Sequence, residues 1–254
     1  QMVIALDCDG DNRLMRNSAI GSYTNWTNRG AGAQEFADGE ALMGGGVVND
    51  GQAVVIQGGA VNLLTVTGND RIFRIDKFPG DVGAVSPECI VQIPGGVAFM
   101  DSSGPQIATA QGVVAIGDNK VARTYLANVG DISAVTAAYD PELKQIVWCA
   151  ENEFLTYDLA TQEFVQVMES TGYIIRMSNP ALTLEDMDTL GTLEELQFPL
   201  DSNVWKGGRP RLAALDTDLK FGFFDGPFLA AEMDTATLTD TASMLVSWCE
   251  PVTD

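Results

Sequence analysis

The densest group of side chains able to do chemistry is DCDGDN, residues 7–12. Asp7, Asp9 and Asp11 alternate as in the opening of a calcium loop, where oxygens at alternate positions turn toward one hard cation. Two features oppose a metal. The loop's glycine belongs at residue 12, whereas this chain has Gly10, and the closing bidentate acid is replaced by Ser18. The stretch reads as a solvated acidic turn, and no metal ligands are assigned. GGGVVND, residues 44–50, resembles one copy of a calcium-binding nonapeptide repeat, but one copy has no period. No phosphate-cradling glycine loop occurs, so no nucleotide or other cofactor is expected.

Histidine is absent, which removes Ser-His-Asp and Cys-His catalysis, the usual zinc sites and the usual pH switch. A glycosidase needs only two facing carboxylates, and the chain has 35 Asp+Glu, too many to choose a pair among. A sialidase-like site would also need clustered arginines; Arg71, Arg74, Arg123, Arg176, Arg209 and Arg211 stand in contexts that declare no triad. The chain is therefore read as a non-enzyme, with no catalytic residue assigned. Cys8, Cys89, Cys149 and Cys249 are scattered without a CxxC pair and read as reduced thiols. The sequon at Asn25–Thr27 is read as incidental, because the first residues lack the basic and long apolar regions of a signal peptide. The chain starts with Gln1, and a processed or excised piece of something longer is expected.

The charge is lopsided: 14 Lys+Arg against 35 Asp+Glu, a formal net of −21. Binding nucleic acid requires cations that displace phosphate counterions, and an anionic membrane would repel this surface as well. No apolar run reaches the length of a membrane-spanning helix.

The elements that must carry these residues are strands. They come in groups: residues 53–57, 61–68 and 71–78; then 89–93, 97–101, 106–110 and 113–117; then 133–139, 145–150, 154–158 and 164–168; then 211–216, 221–225 and 228–234. The intervening turns suit tight reversals: Gly95-Gly96 permits positive φ, Asp140-Pro141 fixes φ, and Asn152 and Asp225-Gly226 favour corners. Short connections predict antiparallel neighbours. Groups of about four short strands recurring every 40–50 residues suggest propeller blades, each a small sheet whose apolar face only the next blade can cover. A β-sandwich would also give short strands with regular turns. The best helical candidate, residues 181–198, is interrupted by Gly191 and reads equally as an acidic loop.

The expected architecture is all-β: a β-propeller-like single domain over 1–254 with antiparallel four-stranded blades, an incomplete set. Residues 1–46 lead in, 47–180 form successive blades, 181–200 are an acidic insertion, and 201–254 hold the last blade elements. Gly44–Gly46 are expected to open a flexible approach to the first blade.

Several pieces occur in an order that resembles a known family: IGSYTNWT (20–27), GNDRIFRIDKFPGDVGAVSPECIVQIPGGVAFMDSSG (68–104), IGDNKVARTYL (116–126), AAYDPELKQIVWC (137–149), FPLDS (198–202) and LAALDTDLKFGFFDGPFLAAEMDT (212–235). Together they resemble the tail nozzle, or tail tubular, proteins of short-tailed double-stranded DNA phages. The likeness covers residues 18–254. It departs from the family at Gly104-Pro105-Gln106-Ile107, where an aromatic-rich segment is usual, and in being shorter. The resemblance implies a structural virion protein in the tail. Its partners would be copies of itself in a hexameric ring, the adaptor or portal side, and tail fibres. The ring would retain the genome and then conduct it, and DNA would pass without being bound. No channel-lining residue is assigned; 183–195 could reach a neighbour or the channel, or be solvated. The alternative is a propeller binding module for a surface carbohydrate or protein, with Trp26, Trp148, Trp205 and Trp248 as candidate contacts, and a carboxylate glycosidase stands behind it.

Overall fold

The computed structural model describes residues 2–27, 30–37, 40–68, 72–118, 121–150, 153–168, 172–178, 210–215 and 220–224. They form five separate antiparallel sheets, each a simple meander. The first has three strands: β1 (Ile4–Cys8), β2 (Asp11–Asn17) and β3 (Gly32–Glu35). The second has four: β4 (Leu42–Asn49), β5 (Gln52–Gln57), β6 (Val61–Val66) and β7 (Phe73–Lys77). The third runs through β8 (Val91–Ile93), β9 (Gly96–Asp101), β10 (Gly104–Thr109) and β11 (Gly112–Ala115). The fourth runs through β12 (Thr136–Asp140), β13 (Gln145–Ala150), β14 (Glu153–Asp158) and β15 (Phe164–Met168). The fifth holds β16 (Tyr173–Ser178), β17 (Pro210–Leu215) and β18 (Phe221–Phe223). The fold is all-β and blade-like, as the grouped strands lead one to expect.

The middle strands read as continuous apolar runs because both faces are covered. In β5, Val54 and Ile56 join one cluster with Val97, Phe99, Trp148 and Leu155, while Val55 joins a second with Met15, Phe36 and Phe73. In β13, Ile146, Trp148 and Ala150 face the first cluster, while Val147 and Cys149 face a third with Phe154 and Ile174. A strand sends alternate side chains to opposite faces, so each such sheet is wedged between its predecessor and its successor.

First strands of successive sheets lie side by side: β1 by β4, β4 by β8, β8 by β12, β12 by β16. Gly44–Gly46, expected as a flexible approach, are instead part of β4. A Cβ on Gly44 would come within 2.9 Å of Ile90, and one on Gly46 within 1.9 Å of Gln92 Oε1. Gln92 reaches across this gap, its Nε2 donating to the Val47 carbonyl at 2.7 Å. The glycines admit the neighbouring sheet, which is a packing requirement rather than a hinge.

Other local differences have equally local causes. Cys89 and Ser133, expected in strands, lie in 3-10 turns at Pro87–Cys89 and Ile132–Ala134; Pro87 and the Asp131 side chain, which accepts from Ser133 N, set these turns. A single short helix, α1 (Ala122–Asn128), is found among the described residues, where no helix was expected. The helical candidate at 181–198 and the strand at 228–234 lie outside the described residues.

Candidate functional site

DCDGDN is the reversal between β1 and β2. Asp7, Asp9 and Gly10 take positive φ of 54°, 58° and 78°. Arg16 Nη2 meets Asp9 Oδ2 at 2.7 Å. Asp11 Oδ1 accepts from Arg13 N at 2.9 Å, and the Arg13 guanidinium reaches Glu35 Oε1 at 2.9 Å. Asp9 and Asp11 thus meet arginines of their own sheet. Among the described residues no group of three His, Cys, Asp or Glu is placed to hold a metal ion.

Other carboxylates, Asp140 among them, are turn acceptors. Asp140 Oδ1 accepts from the N–H groups of Glu142 and Leu143, at 2.8 and 3.1 Å. Asp158 Oδ1 accepts from Ala160 and Thr161, at 2.7 and 3.0 Å. Asp101 accepts from Ser103 N through Oδ2 and from Gly83 N through Oδ1, which ties the third sheet to the segment before it. Hydrogen bonds from Thr161 and then Ala160 hold the Asp158 carboxyl below the usual carboxylate range. Those from Ser133 do the same for Asp131. Such groups stay ionised and accept; they are poor proton donors near neutral pH.

One constellation escaped the sequence reading. Tyr125 and Asn128 lie three apart on α1 and share a face. Trp148 and Glu153 share a face of the fourth sheet, because Glu153 is two positions along β14 from Leu155, the partner of Trp148. Asn128 Nδ2 donates to Glu153 Oε1 at 3.1 Å and joins helix to sheet. Tyr125 and Trp148 are fully buried and Glu153 nearly so. Tyr125 Oη, Trp148 Nε1 and Glu153 Oε2 have no hydrogen-bond partner among the described residues. Burial first, then the nearby Cys149, Glu153 and Cys89, push the Tyr125 hydroxyl well above its ordinary value. Burial pushes the Cys149 thiol up to about 12. A phenol and a thiol held protonated in this way serve neither as base nor as nucleophile at neutral pH. No spacing signal marks the group, since its members come from three elements.

Among the tryptophans, Trp148 is core and Trp26 is partly exposed; Trp205 and Trp248 lie outside the described residues. Trp26 belongs to a pinned loop after β2. Ala19 N donates to Asn25 O at 2.8 Å, closing the loop, and Asn17 Nδ2 donates to Gly30 O at 2.8 Å, fixing its far side. Ile20, Tyr23 and Trp26 on it are 58%, 76% and 36% exposed. Of the candidate arginines, Arg74 pairs with Asp76 on its own strand at 2.6 Å. Arg71 and Arg209 lie outside the described residues.

No family model matches the chain, and no curated protein matches it. Solved structures do; one, from Bacteroides caccae, is a protein of unknown function. It is 12% identical, and the match covers 84% of this chain and 74% of that one at a TM-score of 0.37, a likeness too loose to carry an argument.

Proposed function

We propose that this protein is a structural, non-catalytic component of a phage-like tail, assembled as a ring that retains and then conducts double-stranded DNA. The observation that carries this reading is where the chain's chemistry goes. Among the described residues, Asp101, Asp131, Asp140 and Asp158 are engaged in turns, and the buried Tyr125 and Cys149 are held protonated. The described strands form a series of sheets packed face to face, an arrangement suited to a wall. The ordered motifs resembling tail nozzle proteins supply the setting. In the structure these motifs are turn and core parts: Asp140 caps the turn after β12, and Trp148 is buried in the core. A formal charge of −21 per chain, repeated around a ring, would repel phosphates and let DNA slide. Electron microscopy of unfixed protein over a concentration series tests this. A ring with a central opening, six-fold by the resemblance, is expected; a compact monomer at every concentration overturns the reading.

The loop bearing Ile20, Tyr23 and Trp26 favours a second reading, a module that binds a surface carbohydrate or protein. Aromatic side chains give large contact area at small entropic cost, and the Ser, Thr and Asn beside them give adaptable polar contacts. Quenching of tryptophan fluorescence by cell-wall glycans, absent in Trp26→Phe, would support it; an unchanged spectrum across a broad panel would remove it.

A further inference from the structure

We infer that the outer edge of β11 is where a second copy of this chain adds a strand; the inference rests on the ring reading above. A strand at the edge of a sheet presents unpaired N–H and C=O groups, and natural proteins guard such edges with charge. The last strands of the sheets show the contrast. β7 (FRIDK) carries Arg74, Asp76 and Lys77, β15 (FVQVM) is flanked by Glu163 and Glu169, and Lys220 precedes β18. β11 reads GVVA, inside a run from Ser102 to Gly117 without one charged residue. Residues 51–69 are also uncharged, but their strands β5 and β6 are paired on both sides, whereas β11 ends its sheet, in a chain whose net charge of −21 otherwise sets copies against each other.

The hydrogen-bond phase fixes what the edge offers. Ile116 N donates to Pro105 O at 3.1 Å, so residues 116 and 105 are a bonded pair. Bonded and non-bonded pairs alternate along an antiparallel ladder. Val114 and Ile107, opposite one another, are therefore the next bonded pair, and Val113 and Ala115 direct their N–H and C=O outward. Among the described residues nothing pairs with that side of β11. Val114 is 58% exposed.

In a ring the contact is head-to-tail, so β11 meets a different edge of the next copy. β3 fits: it ends a sheet of three strands where sheets two to four have four, and all four of its residues are exposed. Phe36 N donates to Arg13 O at 3.1 Å; by the same alternation Ala33 and Glu35 point outward. Each copy would then carry one unguarded edge and one unfilled edge on different sheets.

The test is the mass of the full chain, by light scattering over a concentration series, for the wild type and three variants. Val114→Lys places a charge on the edge. Ala115→Pro removes an outward N–H while leaving the β10–β11 ladder bonds in place. Val165→Lys, on β15, is the control, since Val165 is also 58% exposed. The expected result is a wild-type assembly whose midpoint concentration rises at least tenfold in both β11 variants and is unchanged in Val165→Lys, with melting temperatures matched. Unaltered assembly in both β11 variants overturns the inference and leaves the ring reading standing. An assembly that stops at two copies and is lost in the β11 variants keeps the β11 edge and overturns the ring. A wild type that never assembles overturns both.

Discussion

Asn128 Nδ2 donates to Glu153 Oε1 across 3.1 Å, and this bond fastens α1 to the face of the fourth sheet on which Trp148 is buried. Glu153 is nearly inaccessible, and its second oxygen has no hydrogen-bond partner among the described residues. The carboxylate thus depends on one amide.

Asn128→Ala is expected to lower stability by about 1–3 kcal/mol, the cost of stranding a buried acceptor. Combining it with Glu153→Leu should recover part of the loss, because an apolar pair leaves nothing stranded. Urea unfolding of both single variants and the double, with slopes compared, checks the coupling.

Gly83 and Gly222 should respond unequally to alanine. A Cβ on Gly83 would lie 2.3 Å from the carbonyl carbon and oxygen of Gly58, backbone that cannot swing aside, whereas Gly222 faces open space. Gly83→Ala is expected to destabilise by about 1–3 kcal/mol. Gly222→Ala should stay within about 0.5 kcal/mol. Thermal melts of the two variants side by side decide this.

Alkaline pH should weaken the fold through Cys149. Its thiol is held up to about 12 against an ordinary 9.0, so above pH 9 the unfolded chain releases a proton that the folded chain keeps, and stability falls as pH rises. Cys149→Val should flatten the decline between pH 9 and 10 in pH-dependent urea titrations. In the native state Cys8, partly exposed, should react with a thiol reagent well before the buried Cys89 and Cys149.

Acid acts in the other direction at the turns. Asp158 and Asp131 are held below their ordinary 3.8 by hydrogen bonds that the unfolded chain lacks. Their contribution is complete above pH 3.8 and is lost as pH falls through the folded values. Asp158→Asn keeps an acceptor but removes the titration, and should give a shallower loss of stability with acid than the wild type.

Strands with two covered faces were the most legible part of the fold. β5, β6, β13 and β14 fall within a residue or two of expectation because β-branched and aromatic residues fill them and turn residues bound them. The first sheet was missed: DNRLMRN and GAQE lack alternation, and only Met15 of β2 reaches the core as a buried hydrophobe. α1 was missed because its N-cap is Val121, with no side-chain cap, and its seven residues are too few to show a period. Gly44 and Gly46 of β4 were misread because their reason, Ile90 just before β8 and Gln92 within it, lies more than 40 residues away. Among candidate residues, the Asp140 turn was readable from Asp-Pro chemistry. The seam of Tyr125, Trp148 and Glu153 was not, since only tertiary placement brings residues of three separate elements together.

Every ladder in the second, third and fourth sheets joins strands consecutive in the chain. Each sheet can therefore close on itself from a local stretch and wait only for its successor to cover the exposed face. Such a chain can fold in the order in which it leaves the ribosome, with the loop-closure cost met in small instalments rather than at one late step. Pulse-labelled hydrogen exchange on refolding should then show the ladders inside a sheet protected before Gln92 and Val47 lock one sheet to the next.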